Sequence, residues 1–342
     1  MKIIISDYAT SMMADHSYEF EILKHHHPEW FIKTVVYDPG DQSEFTRELA
    51  DTDALITAFI PADAKLFTKA PRLKLISVNA MGFNNVNLED AAKYGIRVCA
   101  LPDYCSDDVA EFTLTLILSL TKQLKAYDLL LNDTHVWQYD ALLPQKRLAA
   151  QTLGIFGLGN IGQKVARLAR SFGMNIIAYD PYLPQNIAEE LRIPLLSATD
   201  IYKKADIITN HMRLTASNRA FFNKSAFNQM GASRHPLFIN VARGESVDEK
   251  ALLDALDTGM IRGAGLDVLS TEKPELEGHP LLKRSNVILT PHAAFYSHDS
   301  VMELQRFSCQ NTVNFFEDKL DKVNHFVDFD QRAAQNSITL SS

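Results

Sequence analysis

The sequence predicts an α/β fold made of two domains, each built on a parallel β-sheet. The first hundred residues alternate short β-branched runs with helical patterns, and the same alternation restarts near residue 152. Strands separated by helices form parallel βαβ units, because the helix supplies the crossover that two parallel strands need. At 342 residues the chain is also longer than a single hydrophobic core usually extends. We therefore predict two such domains.

The composition is that of an ordinary soluble globular protein, with 46% hydrophobic and 22% charged residues. The formal net charge of -8, without any dense basic run, argues against a nucleic acid or an anionic membrane as partner, since both need a concentrated basic face. No uncharged apolar stretch approaches the roughly 20 residues that span a bilayer, and the first residues lack the pattern of a signal peptide. Three cysteines without metal-ligand spacing favour a reducing, cytoplasmic compartment and predict no metal site.

Five strands are expected in the first hundred residues, each a short apolar or β-branched run. They are KIIIS (2–6), TVVY (34–37), ALITAF (54–59), LKLISV (73–78) and IRVCAL (96–101). A triple histidine at 25–27 precedes Pro28. We interpret it as a solvated helix end and assign it no metal.

A long helix is predicted over 106–126, where Ser106 can cap the first turn and two aspartates follow it, favoured by the helix dipole. Apolar residues recur at helical spacing on more than one face of this segment. Such a helix must be buried by more than one neighbour. It either links the two domains or forms a contact between two copies of the chain.

Six further strands are expected between residues 152 and 292. Their sequences are TLGIFG, NIIAYD, DIITNH, LFINVA, GAGLDV and VILTPH. Continuous apolar runs of this kind belong in a parallel sheet that is covered on both faces. A last helix is expected after Ser297.

The stretch GLGNIG, residues 157–162, follows one of these strands and precedes an amphipathic helix. That context is what a dinucleotide-binding loop requires. Gly157 would form the tight turn, Gly159 would let the backbone approach a pyrophosphate, and Gly162 would let the helix pack on the strand. The start of the helix then offers free N–H groups and the positive end of its dipole to the phosphates.

Asp180 ends the next strand, at the position where a carboxylate accepts hydrogen bonds from the adenosine ribose. A carboxylate there repels a 2'-phosphate, and no arginine or lysine follows it in PYLPQN. The sequence therefore predicts NAD rather than NADP as the cofactor.

Three ionisable residues follow other strands of the second domain: Arg243, Glu272 and His292. Taken alone, His292 is better explained as a buried, hydrogen-bonded core histidine. Ligands bind beyond the carboxyl ends of the strands in an open parallel sheet, and all three residues belong to that edge. They are therefore the candidate catalytic residues.

Each candidate suits hydride transfer from a secondary alcohol. Histidine exchanges its proton near neutral pH, so His292 is the expected acid and base. Glu272, bonded to the other ring nitrogen, would fix the tautomer and favour the imidazolium. Arginine presents a planar fork that matches a carboxylate and a carbonyl oxygen, so Arg243 is the expected substrate anchor.

The motifs GLGNIG, NVARGESVDEKALLDAL, GAGLDVLSTEKP and VILTPHAA resemble the D-isomer-specific 2-hydroxyacid dehydrogenase family, over about Leu73 to Phe316. The resemblance implies two doubly wound parallel-sheet domains, Rossmann-like or flavodoxin-like, with the active site in the cleft between them. It places a substrate domain at 1–101 and 295–342 and the NAD domain at 102–294. It also implies a homodimer joined through the NAD domains, and the same roles for Arg243, Glu272 and His292.

The implied reaction is hydride transfer between nicotinamide C4 and C2 of a 2-oxo or 2-hydroxy acid. The implied substrate contacts are Ala80, Met81, Gly82, Arg243 and Phe295. The expected cofactor contacts are Val109, Gly157, Gly159, Asn160, Ile161, Gly162, Asp180, His211, Val241, Ala242, Arg243, Asp267 and His292.

Several positions leave alternatives open. Phe295 either forms an apolar wall over the substrate side chain or packs at a domain hinge. Arg213 replaces a usual proline and either reaches the cofactor or is solvated, and Lys273 separates Glu272 from Pro274. HAAFYS is most similar to the C-terminal binding proteins, so an NAD(H)-sensing interaction protein is the alternative function. An enzyme of the same fold that acts on formate or phosphite is a third possibility, although Phe295 favours an acid with an apolar side chain.

Overall fold

In the computed structural model the chain divides into two compact units, and the structure describes residues 1–13 and 15–327. One unit combines Met1–Tyr104 with the described residues from Ser297 on, and the other is Cys105–Tyr296. The family resemblance predicts boundaries at 101/102 and 294/295, three and two residues earlier than in the structure. In the structure each boundary directly precedes the N-cap residue of a helix. Within the described residues, no helix is both long and apolar enough to cross a membrane.

The strands are, in chain order, β1 (Lys2–Tyr8), β2 (Phe31–Tyr37), β3 (Ala54–Thr57), β4 (Leu75–Val78), β5 (Arg97–Cys99), β6 (Thr152–Phe156), β7 (Asn175–Tyr179), β8 (Ile207–Asn210), β9 (Leu237–Asn240), β10 (Gly263–Leu266) and β11 (Val287–Leu289). The helices are α1 (Ser17–His26), α2 (Ser43–Leu49), α3 (Ala64–Phe67), α4 (Leu88–Lys93), α5 (Ser106–Thr121), α6 (Leu124–Thr134), α7 (Asn160–Ser171), α8 (Gln185–Leu191), α9 (Ala198–Lys204), α10 (Lys224–Gly231), α11 (Glu249–Asp257) and α12 (His298–Phe316). Every strand predicted from the sequence is confirmed.

The first unit contains a five-stranded parallel sheet in the order β2-β1-β3-β4-β5. This is the flavodoxin-like arrangement, in which the strand order reverses beside β1. In the run KIIIS, Ile3 and Ile4 are fully buried and Ile5 is nearly so. Successive side chains of a strand point to opposite faces, so both faces of the sheet are covered, as a continuous apolar run predicts.

The second unit contains a six-stranded parallel sheet in the order β11-β10-β9-β8-β6-β7. Leu195 extends it beyond β7 through a parallel bridge to Ala178. With that bridge the chain order across the sheet is 3-2-1-4-5-6-7, which is the 3-2-1-4-5-6 arrangement of dinucleotide-binding domains with β11 added at one edge. The predicted α/β fold of two Rossmann-like parallel-sheet domains is therefore confirmed.

The prediction of one helix over 106–126 is wrong. Helix α5 ends at Thr121, and Gln123 adopts a left-handed backbone conformation with φ of 54°. A right-handed helix cannot continue through such a residue. The side-chain amide of Gln123 donates to the carbonyl of Leu143, a contact that lies 20 residues away and has no local sequence signal. Cys105, rather than Ser106, occupies the N-cap position of α5.

Candidate active site

The glycine-rich loop joins β6 to α7, and two of its glycines lie very close to neighbouring backbone atoms. Gly157 has a φ of +87°, and a Cβ on it would lie 2.8 Å from the carbonyl carbon of His211. A Cβ on Gly162 would lie 2.1 Å from the carbonyl oxygen of Gly157. Neither position accepts a side chain, so these two glycines fix the turn and the packing of the helix on the strand.

Gly159, between them, is exposed, and a Cβ added to it would meet no atom within 4 Å. Asn160 is also exposed and Ile161 is half-buried, and α7 begins at Asn160. The start of this helix thus faces open space with its N–H groups unused by helical bonds. The loop has the room and the donors that the pyrophosphate of NAD requires.

Asp180 lies beside this loop at the end of β7. Its Oδ2 accepts a hydrogen bond from the Leu158 N–H at 2.8 Å. Its Oδ1 accepts from the N–H groups of Tyr182 and Leu183, at 2.9 and 3.2 Å. A carboxylate offers about four acceptor positions, so the side chain can hold the loop and still accept a ribose hydroxyl.

His211 directly follows β8, on the other side of the loop. Its Nε2 lies 2.8 Å from the hydroxyl of Thr209, and its buried Nδ1 has no partner among the described residues. Burial lowers the pKa of His211 to about 3, so the ring is neutral near pH 7. Among the other expected cofactor residues, Val109, Val241 and Ala242 are buried within the same unit.

The three candidate catalytic residues follow three adjacent strands. Arg243 follows β9, Glu272 follows β10 and His292 follows β11, and the sheet order places β10 between the other two strands. His292 Nδ1 lies 3.0 Å from Oε1 and 2.9 Å from Oε2 of Glu272. The structure thus brings the histidine and the carboxylate into the hydrogen-bonded pair that the sequence predicts.

Charge is concentrated around this pair. The pKa of Glu272 is lowered, first by the hydrogen bond from His292 and then by the positive charges of His292 and Arg243, while burial opposes the shift. One arm of the Arg243 guanidinium donates to the carbonyl of Ala242 at 2.7 Å. Its other N–H groups have no hydrogen-bond partner within the described part of the chain. They remain available to an anionic ligand.

His292 itself has a left-handed backbone, with φ of 53°. That conformation costs about 1–2 kcal/mol for a residue with a Cβ, so the surroundings must hold it. The His292 N–H donates to the carbonyl of Asp267 at 2.7 Å. The loop that carries the histidine is therefore fixed to the end of β10.

The Asp267 carboxylate also holds the loop that carries His292. It accepts hydrogen bonds from the Thr290 hydroxyl at 2.6 Å, the Ala293 N–H at 2.8 Å and the Ala294 N–H at 2.9 Å. Burial raises the pKa of Asp267, and these hydrogen bonds oppose the shift. Reasoning from the family assigned this residue only to the nicotinamide, and it missed the contacts that position His292.

Sequence reasoning also missed a buried amide network beneath Arg243. The Asn210 side chain donates to Asn240 Oδ1 at 3.0 Å and to the Ser246 hydroxyl at 2.9 Å. Asn240 and Ser246 both donate to the carbonyl of Arg243, at 3.1 and 2.7 Å. The available signal was an asparagine at the end of two otherwise apolar strands, since buried polar groups need specific partners.

Gly244 explains how closely the loops after β9 and β10 approach each other. A Cβ on this residue would lie 1.8 Å from the carbonyl oxygen of Leu269. Only glycine allows that approach. The contact brings the segment that carries Arg243 against the segment that leads to Glu272.

The remaining predicted positions are distributed as follows. Phe295 is half-buried and packs edge-on against the His292 ring, with ring centroids 6.1 Å apart. Ala80, Met81 and Gly82 form the loop after β4 in the first unit, and their role as substrate contacts stays a prediction. Arg213 and Lys273 are exposed. Among the described residues, no cluster of three or more histidine, cysteine, aspartate or glutamate side chains could hold a metal ion.

Comparisons with known proteins agree with this geometry. The model of the D-isomer specific 2-hydroxyacid dehydrogenase NAD binding domain matches residues 114–294. The chain is 32% identical to a glyoxylate reductase of Korarchaeum cryptofilum over 282 residues, which are 81% of this chain and 83% of that protein. It is 36% identical to a D-3-phosphoglycerate dehydrogenase of Methanocaldococcus jannaschii over 253 residues, 73% of this chain but 47% of the relative.

Among solved structures, the fold is similar to that of D-lactate dehydrogenase from Aquifex aeolicus, solved with NAD and lactic acid. The TM-score is 0.83 at 27% identity, and the match covers 95% of this chain and 98% of the other. D-2-hydroxyisocaproate dehydrogenase gives a TM-score of 0.80 at 26% identity, covering 96% of this chain and 99% of the other.

Proposed function

Because the chain belongs to the D-isomer-specific 2-hydroxyacid dehydrogenase family, whose members are NAD-dependent oxidoreductases of 2-hydroxy acids, we propose that it interconverts a small 2-oxo acid and its D-2-hydroxy acid. The observation that carries the proposal is the His292–Glu272 pair, which lies 2.9–3.0 Å apart at the sheet edge that also holds Arg243. NAD, when bound, supplies the hydride acceptor or donor. The protein supplies the proton, the orientation of the acid and the charge that opposes the developing oxyanion.

His292 is the proposed acid and base. Glu272 is bonded to Nδ1, which leaves Nε2 as the atom that gives a proton to the substrate oxygen or takes one from it. The lowered pKa of Glu272 keeps its carboxylate ionised near pH 7, so it can stabilise a positive charge on the ring. The left-handed backbone of His292 then sets the direction from which Nε2 approaches the substrate.

Arg243 is the proposed anchor for the substrate carboxylate and carbonyl oxygen. The fixed fork of a guanidinium binds two oxygens at once, which orients a 2-oxo acid as well as attracting it. Its positive charge also opposes the negative charge that grows on the carbonyl oxygen during reduction. The Phe295 ring packs against the His292 ring, and this apolar surface favours a substrate with an apolar side chain.

The first experiment is NADH consumption by the purified protein across 2-oxo acids graded by side-chain size and charge. Glyoxylate and pyruvate represent the activities of relatives, and hydroxypyruvate, oxaloacetate, branched and thioether-bearing acids extend the series. We expect a clear preference for one apolar acid. Tight NADH binding without turnover of any member would contradict the proposal and favour the alternative interaction protein similar to the C-terminal binding proteins.

The role of His292 is tested by His292→Asn, with the exposed His25→Asn as the matched control. We expect the first variant to lose about 10²–10⁴-fold in kcat and to keep its affinity for NADH, because general acid–base catalysis contributes that much. His25→Asn should match the wild type. Loss of NADH binding in His292→Asn would mean that the histidine is structural.

We also propose that the protein is a homodimer and is cytoplasmic. Trp137, Tyr139 and Leu143 are 92%, 88% and 81% exposed, and they share the segment that follows α6. Exposed aromatic and aliphatic side chains in such density are typical of an interface. The double variant Trp137→Ser, Tyr139→Ser should sediment as a monomer.

The proposal of a cytoplasmic location is supported by the cysteines. All three cysteines are free and buried, which supports a reducing compartment.

A further inference from the structure

A cavity of about 270 Å³ lies in the second unit, at the edge of the sheet opposite the glycine-rich loop. Gln151, Asp206 and Arg262 directly precede β6, β8 and β10, and His235 lies just before β9. The cavity is therefore at the amino ends of the strands, whereas the coenzyme residues and the His292–Glu272 pair are at the carboxyl ends. Its charged and polar walls include Lys146, Gln151, Asp206, Arg234, His235 and Arg262.

Positive charge exceeds negative charge in these walls. Lys146, Arg234 and Arg262 face a single carboxylate, that of Asp206. Asp206 is buried, and its Oδ2 accepts a hydrogen bond from the Thr152 N–H at 2.9 Å. Its Oδ1 lies 3.4 Å from the Lys146 amine and 3.6 Å from the Arg234 guanidinium. The carboxylate is thus already engaged, and two positive charges remain unbalanced.

Of these three cations, Arg262 has the least of its charge neutralised by a carboxylate. Its guanidinium is largely buried and donates to the neutral Gln151 Oε1 at 3.0 Å. No carboxylate oxygen of the described residues lies within 4 Å of it. Burial lowers the pKa of the guanidinium, and the charge of Asp206 opposes that shift. A buried charge without a bonded counter-charge is costly, so an anion in the cavity would relieve it.

We propose that this cavity is a binding site for a small dianion of the phosphate type, separate from the coenzyme site. The forks of Arg234 and Arg262 match the oxygens of a phosphoryl group, and Lys146 adds a flexible point charge at the rim. His235 donates its Nδ1–H to the Gly259 carbonyl at 2.6 Å, so its Nε2 can accept the hydroxyl hydrogen of a monoprotonated phosphate dianion. Two unbalanced positive charges correspond to the charge of one phosphate dianion.

The site is tested by calorimetric titration of inorganic phosphate into the protein saturated with NADH, at constant ionic strength in chloride buffer. NADH occupies the glycine-rich loop, so phosphate cannot bind there, and the variants below distinguish this cavity from the anion site at Arg243. We expect saturable binding at one site per chain. Lys146→Gln and Arg234→Gln should each weaken it about tenfold, since a hydrogen bond to a charged group contributes that order of affinity.

Both substituted side chains are about half exposed, at 62% and 45%, so neither variant should disturb folding. Lys203→Gln, on the exposed side of α9, is the matched control and should bind phosphate like the wild type. Three results would overturn the site: no saturable binding, equal affinity in all variants, or binding that disappears when NADH is present. Because the readout is binding, the outcome does not depend on which acid the enzyme reduces.

Discussion

Replacing Asp267 by asparagine should loosen the attachment of the loop that carries His292 to the end of β10. The wild-type carboxylate accepts three hydrogen bonds, two at Oδ1 and one at Oδ2. Asparagine has one acceptor oxygen, so its amide N–H₂ must face at least one of the donors, such as the N–H of the buried Ala294. A buried donor without an acceptor costs about 1–3 kcal/mol.

That cost falls on a loop that is already strained. The left-handed backbone of His292 costs about 1–2 kcal/mol, and the Asp267 contacts are what hold it. Once they are weakened, the loop can relax toward an unstrained conformation and carry the imidazole away from its working position. A displacement of about 1 Å is enough to reduce turnover about 100-fold. We therefore expect a loss of about 1–3 kcal/mol in the free energy of unfolding and about 100-fold in kcat.

The assays are urea unfolding, steady-state kinetics on the preferred acid, and NADH binding by fluorescence. Asp254→Asn, an exposed aspartate of α11, is the matched control and should change none of them. Thr290→Val removes the hydroxyl donor together with its hydrogen bond to Asp267, so no donor is left unsatisfied. It should therefore lower stability and kcat less than Asp267→Asn does. Wild-type stability and turnover in Asp267→Asn would refute the reasoning. A loss confined to NADH affinity would mean that the carboxylate acts on the cofactor rather than on the loop.

Three further predictions concern other parts of the molecule. Asp180→Ala should weaken NADH binding and raise the affinity for NADPH relative to NADH, because it removes the acceptor of the ribose hydroxyl and the charge that repels a 2'-phosphate. An unchanged preference for NADH over NADPH in binding assays would contradict this prediction. Asn210→Leu should raise the KM for the acid more than it lowers the affinity for NADH, since it removes two hydrogen bonds of the network that holds Arg243. Equal changes in KM and in NADH affinity would mean that the network does not position Arg243. Burial raises the pKa of Asp7 to about 6, so the folded state binds this proton more tightly than the unfolded chain does. The resulting stabilisation is fully present only below the unfolded pKa of about 4 and is lost as pH rises through 6. The unfolding free energy of the wild type relative to Asp7→Asn should therefore fall by about 2 kcal/mol from pH 4 to pH 7. A difference that stays constant across urea titrations at these pH values would disprove it.

The sequence by itself determined the architecture and the place of the chemistry. Strand and helix alternation depends on local pattern, and parallel strands bring their carboxyl ends to one edge, so residues just after the strands could be expected to meet there. The roles of Gly157 and Gly162 were equally accessible, because each depends on backbone geometry within one βα turn. The pairing of His292 with Glu272 followed from the same edge rule together with the family motifs.

The tertiary structure alone decided which groups hold those residues in place. Asp267 binds Ala293 and Ala294, about 26 residues along the chain, and Asn210 of β8 donates to Asn240 of the neighbouring strand β9, 30 residues along. No local pattern encodes such contacts, because a polar side chain near a strand end has many possible partners until the loops are packed. The break at Gln123 has the same origin: the apolar periodicity continues past it, and only the contact with Leu143 shows where the helix stops. Sequence patterns report what each segment buries, whereas hydrogen-bond partners are set by distances that exist only in the folded chain.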